Sequence, residues 1–199
     1  MRRLRRHADA GQAFPIYITV VGGLLFLAFA YLAVGQAAAN RNGAQTAADA
    51  AALAVAQDSR DQLADMWTDS LLDPAAWQDI FDGLVTGLVP SCDRAHQLAA
   101  ENEAHVLTCE PDGPLGFTVA VETDRTVGDS IVPGTENKRS KASATAVIEP
   151  RCGFDMPVGE TDDKTLPALS CEGERWELDP EDEAGLPRPE DLFDVHLAD

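Results

Sequence analysis

Basic residues are scarce in this sequence. Lys and Arg number 15 against 34 Asp and Glu, which gives a formal net charge of −19 over 199 residues. Up to residue 41 the chain has five Arg and one Asp, a balance of +4, which leaves −23 for the rest. So acidic a region is repelled by nucleic acid, and nucleic acid is therefore not expected among its partners.

Charged residues and helix breakers are missing from the N-terminal third. No charged side chain lies between Asp9 and Arg41, and no proline lies between Pro15 and Pro74. Within this interval the run Phe14–Val34 has about the twenty apolar residues that cross a bilayer core. The arginines precede the run and the acidic chain follows it. The sequence therefore predicts a single-pass membrane protein, with its N-terminus cytoplasmic and its C-terminal part outside.

A cleaved secretory signal is the alternative interpretation of the same run. Ala37 and Ala39 have the small-residue spacing of a cleavage site. The apolar run is long for a signal, which favours an anchor. Either interpretation places the remaining residues outside the cytoplasm.

Alanine dominates the segment after the anchor and should continue the helix into water. From Pro15 to about Leu63 this predicts one rod of about 70 Å. Small residues recur at every fourth position and predict a face where helix backbones approach closely. The alternative is that alanine is simply the best helix former. The predicted helix-packing face consists of Ala39, Gly43, Ala47 and Ala51, flanked by Ala44, Ala48, Ala52 and Ala56.

These motifs together resemble a known family. The run Gly11-Gln-Ala-Phe-Pro15, the apolar span, and Gln-Thr-Ala-Ala-Asp-Ala-Ala-Ala-Leu over residues 45–53 are similar to the N-terminal region of TadE/TadG-like proteins of Flp (tight-adherence) pilus assembly, particularly the actinobacterial members. The resemblance covers about the first sixty residues. It implies a membrane-anchored accessory protein or minor pilin-like subunit, and it brings no catalytic residues with it.

The chain departs from the pilin-like members of that group at one point. Those members are cut after a glycine and carry a glutamate five residues later, whereas the fifth residue after Gly11 is Ile16. The span contains neither Glu nor Asp. An uncleaved, TadG-like anchor that displays an outer domain is therefore expected.

The remaining residues predict a small α+β domain. Helical spacing covers 74–88 with Asp73 as N-cap, and Ser91 begins a second helix to about residue 105. Strands are predicted at 106–109, 116–123 and 141–148, with a basic hairpin loop at 137–141. From about Phe154 the acidic composition predicts a disordered tail. The predicted divisions are a basic N-terminus (1–13), a transmembrane helix (14–36), an alanine-rich extension (37–64), an extracytoplasmic domain (65–153) and an acidic tail (154–199).

Four cysteines follow the anchor, and an even number outside the cytoplasm favours disulfides. Of three possible connectivities, Cys92–Cys109 and Cys152–Cys171 close the shortest loops and are preferred. The alternative is a zinc site, in which His96 and His105 join the first two cysteines.

Catalytic motifs are missing from the sequence: it has no Gly-x-Ser-x-Gly, His-Glu-x-x-His or phosphate-binding loop. The segment 179–185 has the acids of a calcium loop, but its glycine is one position late, so a solvated acidic segment is expected. We therefore expect no enzyme and no cofactor. The candidate functions are a component of a Flp-type pilus assembly or secretion system, and a stand-alone cell-surface or secreted binding domain unrelated to pili.

Overall fold

One helix forms the axis of the protein. The computed structural model describes residues 13–126, 137–156 and 166–198. Helix α1 (Ala13–Asp69) runs without a break for 57 residues, or about 85 Å at the standard rise per residue. Pro15 lies in its first turn, where no intrahelical amide partner is lost. The predicted rod is therefore confirmed and extends one to two turns beyond Leu63.

The folded domain combines short helices with antiparallel strands, which confirms the predicted α+β class. After α1 the elements are α2 (Pro74–Phe81), α3 (Cys92–Glu101), β1 (Ala104–Pro111), β2 (Gly116–Thr123), β3 (Lys141–Pro150), β4 (Cys152–Phe154), β5 (Leu169–Cys171), β6 (Glu174–Trp176), a 3-10 turn (Glu183–Gly185), α4 (Pro189–Leu192) and β7 (Phe193–Leu197). Four strands build the main sheet in the order β1-β2-β3-β7, and every neighbouring pair is antiparallel. A second, three-stranded sheet has the order β4-β5-β6.

The core lies between α1 and one face of the main sheet. On the sheet side, alternate residues of β2 and β3 are buried, as period-two alternation requires. On the helix side, the buried residues are mostly alanines, and Ala47, Ala51 and Val55 have no exposed surface. The buried residues of the sheet include Phe117, Val119 and Val121, so the small side chains of α1 pack against a surface of mixed size.

The far end of the core is built from aromatic rings. Trp67 of α1 packs on Trp77 of α2 with ring centroids 5.5 Å apart, and Trp77 packs on Phe154 at 5.2 Å. Phe81 contacts Phe154 at 6.2 Å and Phe193 at 5.5 Å. This aromatic cluster therefore joins α1, α2, β4 and β7.

The prediction of a disordered tail is wrong for residues 166–198. Strand β7 completes the main sheet by pairing with β3, and Leu169, Leu192 and Phe193 are buried in the core. These few apolar residues are enough to fold the segment onto the domain, because each occupies a site where the sheets and α1 already exclude water. Residues 157–165, also part of the predicted tail, lie outside the described residues.

The two short helices α2 and α3 end earlier than predicted. Helix α2 ends at Phe81 rather than Leu88, because Gly83 adopts a φ of +69° that other residues rarely adopt. A Cβ there would lie 2.6 Å from the Leu115 side chain. Asp73 and Ser91 occupy the N-cap positions of α2 and α3, although neither side chain makes a capping hydrogen bond.

The complete burial of Ala51 predicts the effect of the substitution Ala51→Leu. The larger side chain has no space at this fully buried position, so the substitution should lower the free energy of unfolding by about 1–3 kcal/mol. Urea unfolding of the full chain in detergent, followed by near-UV circular dichroism, measures the change. Ala100→Leu, the same substitution at an exposed position of α3, is the control. Equal stability of the two variants would contradict the packing described here.

Candidate membrane anchor and its junction with the folded domain

The first half of α1 is apolar and has no cover in the protein. Within the described residues, one helix is long and apolar enough to cross a membrane, and its most apolar window is entirely unburied. Its large side chains are exposed, up to 80% for Tyr31. Phe14–Val34 spans about 31 Å of helix, which matches the thickness of a bilayer core. An exposed apolar surface of this size requires a partner or a membrane.

The end of the domain nearest the apolar run contacts α1 at Asn40, through two backbone carbonyls and one hydroxyl. The Nδ2 of Asn40 donates hydrogen bonds to the carbonyl oxygens of Arg125 (3.1 Å) and Thr126 (3.4 Å), and its Oδ1 lies 3.3 Å from the Thr123 hydroxyl. Thr123 Oγ1 donates to the Arg125 carbonyl (2.9 Å) and accepts from the Ser140 amide (3.1 Å). This Asn40 junction fixes the end of β2 and the start of β3 to α1, six residues after the apolar run.

An open pocket of about 320 Å³ lies beside the Asn40 junction. One wall is α1, and the other is the near end of the domain. Amides, hydroxyls, Arg125 and Glu103 supply its polar groups. Its lining residues on α1 are Gln36, Ala39, Asn40 and Gly43.

The predicted helix-packing face divides into two parts. Ala47 and Ala51, with the flanking Ala44, Ala48, Ala52 and Ala56, are buried inside the chain's own domain. The interpretation of these residues as a contact surface for other membrane helices is therefore wrong, because the sheet and α3 already cover them. Ala39 and Gly43 lie nearer the apolar run and are exposed, and a Cβ on Gly43 would meet nothing within 4 Å.

All four cysteines are paired as predicted. Cys92 is bonded to Cys109 and Cys152 to Cys171, which leaves no thiolate for the alternative zinc site. His105 instead lies between two carboxylates, with Nδ1 2.8 Å from Asp124. No group of three or more possible metal ligands occurs within residues 13–126, 137–156 and 166–198.

The acidic segment 179–185 forms a turn that its own side chains support. The Asp179 carboxylate accepts from the Glu181 amide (2.9 Å), and the Gly185 amide donates to the Asp182 carbonyl (3.0 Å). Nearby, Arg151 donates to the Glu190 carbonyl (3.0 Å) and to the Glu172 carboxylate, and the latter bond raises the pKa of Arg151. These contacts hold the C-terminal segment against the second sheet.

Two features were missed by the sequence interpretation. Nothing in the pattern around Asn40 indicates a bond to a residue 85 positions away. Strand β7 did leave a signal, because Phe193, Val195 and Leu197 alternate with polar residues, but the acidic composition around them outweighed it.

The geometry defines a class of protein in which a lone apolar helix continues into the core of a small disulfide-bonded α+β domain. Residues 11–58 match the model of the family described as "Putative Flp pilus-assembly TadE/G-like". The predicted resemblance is confirmed over this segment, which comprises the apolar run, Asn40 itself and the buried alanines from Ala44 to Ala56. No curated protein matches the chain, and no solved structure matches it.

The hydrogen bonds of Asn40 predict the effect of the substitution Asn40→Ala. Loss of the two hydrogen bonds from Nδ2 should cost about 1 kcal/mol and speed amide exchange in residues 123–126. Hydrogen exchange of the full chain in bilayer nanodiscs measures it. Asn42→Ala, at an exposed position two residues along α1, should leave exchange there unchanged. If the two variants exchange alike, the contact does not hold the domain to the helix.

Proposed function

We propose that this protein is a membrane-anchored accessory or minor pilin-like component of a Flp-type pilus assembly or secretion system. The observation that carries the proposal is the uncovered apolar run of α1, which lies inside the segment that matches the pilus-assembly family. The domain displayed by this anchor is acidic and carries two disulfides.

The charge pattern supports one orientation. Arg2, Arg3, Arg5 and Arg6 precede the apolar run, and the positive-inside rule keeps such clusters in the cytoplasm. The domain then lies outside, where disulfides form and persist. Because the helix enters the domain core directly, we infer an uncleaved anchor that displays a rigidly held domain.

A non-enzymatic role fits the same observations. The acidic groups near one another serve local turns and ion pairs, as Asp179 and Asp191 do with neighbouring backbone amides. We therefore propose that the protein acts by contact with other subunits. The exposed small residues Ala39 and Gly43 are available to a neighbouring anchored helix, either from another pilus-assembly protein or from a second copy.

The proposed orientation is tested with single introduced cysteines, since all native cysteines are in disulfides. Ala100→Cys, at an exposed position of the domain, should react with a membrane-impermeant maleimide on intact cells. Ala8→Cys, in the arginine-rich segment, should react only after lysis. The unsubstituted chain is the blank. The reverse labelling pattern would show that the orientation is wrong.

The proposed partners are tested by photo-crosslinking in cells that make the complete system. A photoreactive residue at Ala39 should form adducts with other anchored pilus-assembly subunits or with a second copy, because this position is exposed beside Gly43. The same residue at Ala100 is the control for non-specific contact. Absence of adducts from Ala39 would favour the alternative, a stand-alone surface domain.

A further inference from the structure

Exposed apolar side chains in the folded domain are concentrated at the end of α1 that is farthest from the apolar run. Five large apolar side chains beyond Val34 are exposed among the described residues, and three of them are Leu72 (75%), Leu84 (65%) and Val89 (65%). All three belong to residues 58–89, which form the end of α1, α2 and the segment after α2. We call these residues the tip.

An open groove of about 350 Å³ separates α1 from α2 at the tip. Met66 and Ser70 of α1 line one side, Asp79 and Ile80 of α2 line the other, and the segment 84–86 borders both. Most of these side chains are apolar, and among the described residues that line the groove the aspartate is the one ionisable group. The groove can therefore accept an apolar side chain beside a cation.

The segment that borders the groove is held in place at both ends. The Nε2 of Gln62 donates to the carbonyl oxygen of Val89 (2.9 Å), and its Oε1 accepts from the amide of the same residue (3.2 Å). At the other end, the Leu84 amide donates to the Asp79 carbonyl (2.8 Å). The exposed leucine is thus presented on a fixed backbone, which lowers the ordering cost of binding. Clustered apolar side chains of this kind indicate an interaction surface.

The charge of the tip is strongly negative. Residues 58–89 contain seven Asp and one Arg, which gives −6. Arg60 pairs with Asp61, and within the described residues none of the other six carboxylates has an ion pair. The aromatic cluster joins the tip to residues 151–198, which contain fourteen acids and four bases when every residue of that range is counted. No neighbouring segment therefore supplies the missing positive charge.

This charge determines which occupant fits the groove. A second copy would bring the same negative charge to the contact, and the residues after Arg41 sum to −23. Anionic lipid and nucleic acid are repelled for the same reason. A polypeptide with lysines or arginines around an apolar side chain complements both the charge and the apolar lining.

We propose that the tip groove binds a basic segment of a partner protein. An apolar side chain of that segment enters between α1 and α2, and its cations meet Asp79 together with Asp65 and Asp69, which flank Met66 and Ser70 in sequence. This surface is distinct from the exposed Ala39 and Gly43, and the inference does not rest on the proposed role of α1 in the membrane.

The first experiment measures the binding of a synthetic peptide in which lysines surround leucines. The full chain is held in phosphatidylcholine nanodiscs and carries an environment-sensitive dye on Thr86→Cys, an exposed position of the groove. Leu84→Ser should weaken binding about tenfold, and Asp79→Asn about threefold with a smaller salt dependence. The matched controls Leu107→Ser and Glu110→Gln, at exposed positions of β1, should leave binding unchanged. Empty nanodiscs give the blank for peptide that partitions into lipid.

Two comparison peptides separate the proposal from general attraction of opposite charges. The peptide with serines in place of the leucines, and the peptide with glutamates in place of the lysines, should both bind at least tenfold more weakly. Equal binding of the serine peptide, or equal loss in the variants of the groove and of β1, would overturn the proposal.

The second experiment identifies the occupant in cells that make the complete system. A photoreactive residue at Thr86 should form adducts with a protein segment of net positive charge, and Leu84→Ser should reduce their yield. Absence of adducts, or adducts confined to a second copy or to acidic segments, would show that the groove does not bind a basic partner.

Discussion

The contact between the alanine face of α1 and the main sheet is the constraint on which the rest of this structure depends. Ala47 and Ala51 are fully buried against a sheet whose facing positions include Ala144 and Ala146. The sheet also contributes larger side chains, among them Phe117, Val119 and Val121, which are buried in the same core as the alanines. The helix that leaves the apolar run is consequently also a wall of the domain core. No linker separates the two, and the orientation of the domain follows from the direction of α1.

This arrangement has an energetic cost that other features offset. Alanine contacts bury little apolar area, so the part of the core nearest the apolar run is weakly stabilised. At the other end, Trp67, Trp77 and Phe193 are fully or almost fully buried, and such rings bury about 150–250 Å² each. The disulfides close loops with sequence separations of 17 and 19 residues, each worth about 3 kcal/mol on the chain-entropy estimate. The aromatic rings and the disulfides thus supply stability that the small alanine side chains do not.

The sequence predicted those parts of the fold that depend on local pattern. The absence of proline after Pro15 predicted the unbroken helix, and alternation over 116–123 and 141–148 predicted two of the sheet strands. Spacing of Leu84, Val85 and Leu88 falsely extended α2, since periodicity does not report the positive φ of Gly83. In the tail, the acidic composition predicted disorder because it averages over all residues, whereas the few apolar residues among them enter the core.

The functional residues likewise divide into those that local sequence pattern predicted and those that it did not. Short sequence separation was enough to predict the cystine pairs. Four-residue spacing showed that Ala47 and Ala51 would pack against something, but not whether a partner helix or the chain's own sheet would cover them. The Asn40 junction was not predictable, because its partners are brought together only by the completed sheet.

Because α1 is continuous, the folded domain moves with any tilt of the apolar run. From Asn40 to the end of the helix at Asp69 is about 44 Å, and this part moves as one body with the domain packed on it. Membrane helices adopt tilts over a range of tens of degrees, according to bilayer thickness and neighbouring helices. A change of about 10° in the tilt of the apolar run would displace the far end by about 8 Å. If the apolar run is the proposed membrane anchor, a small rearrangement of helices inside the bilayer would move the far end of the domain by about this distance.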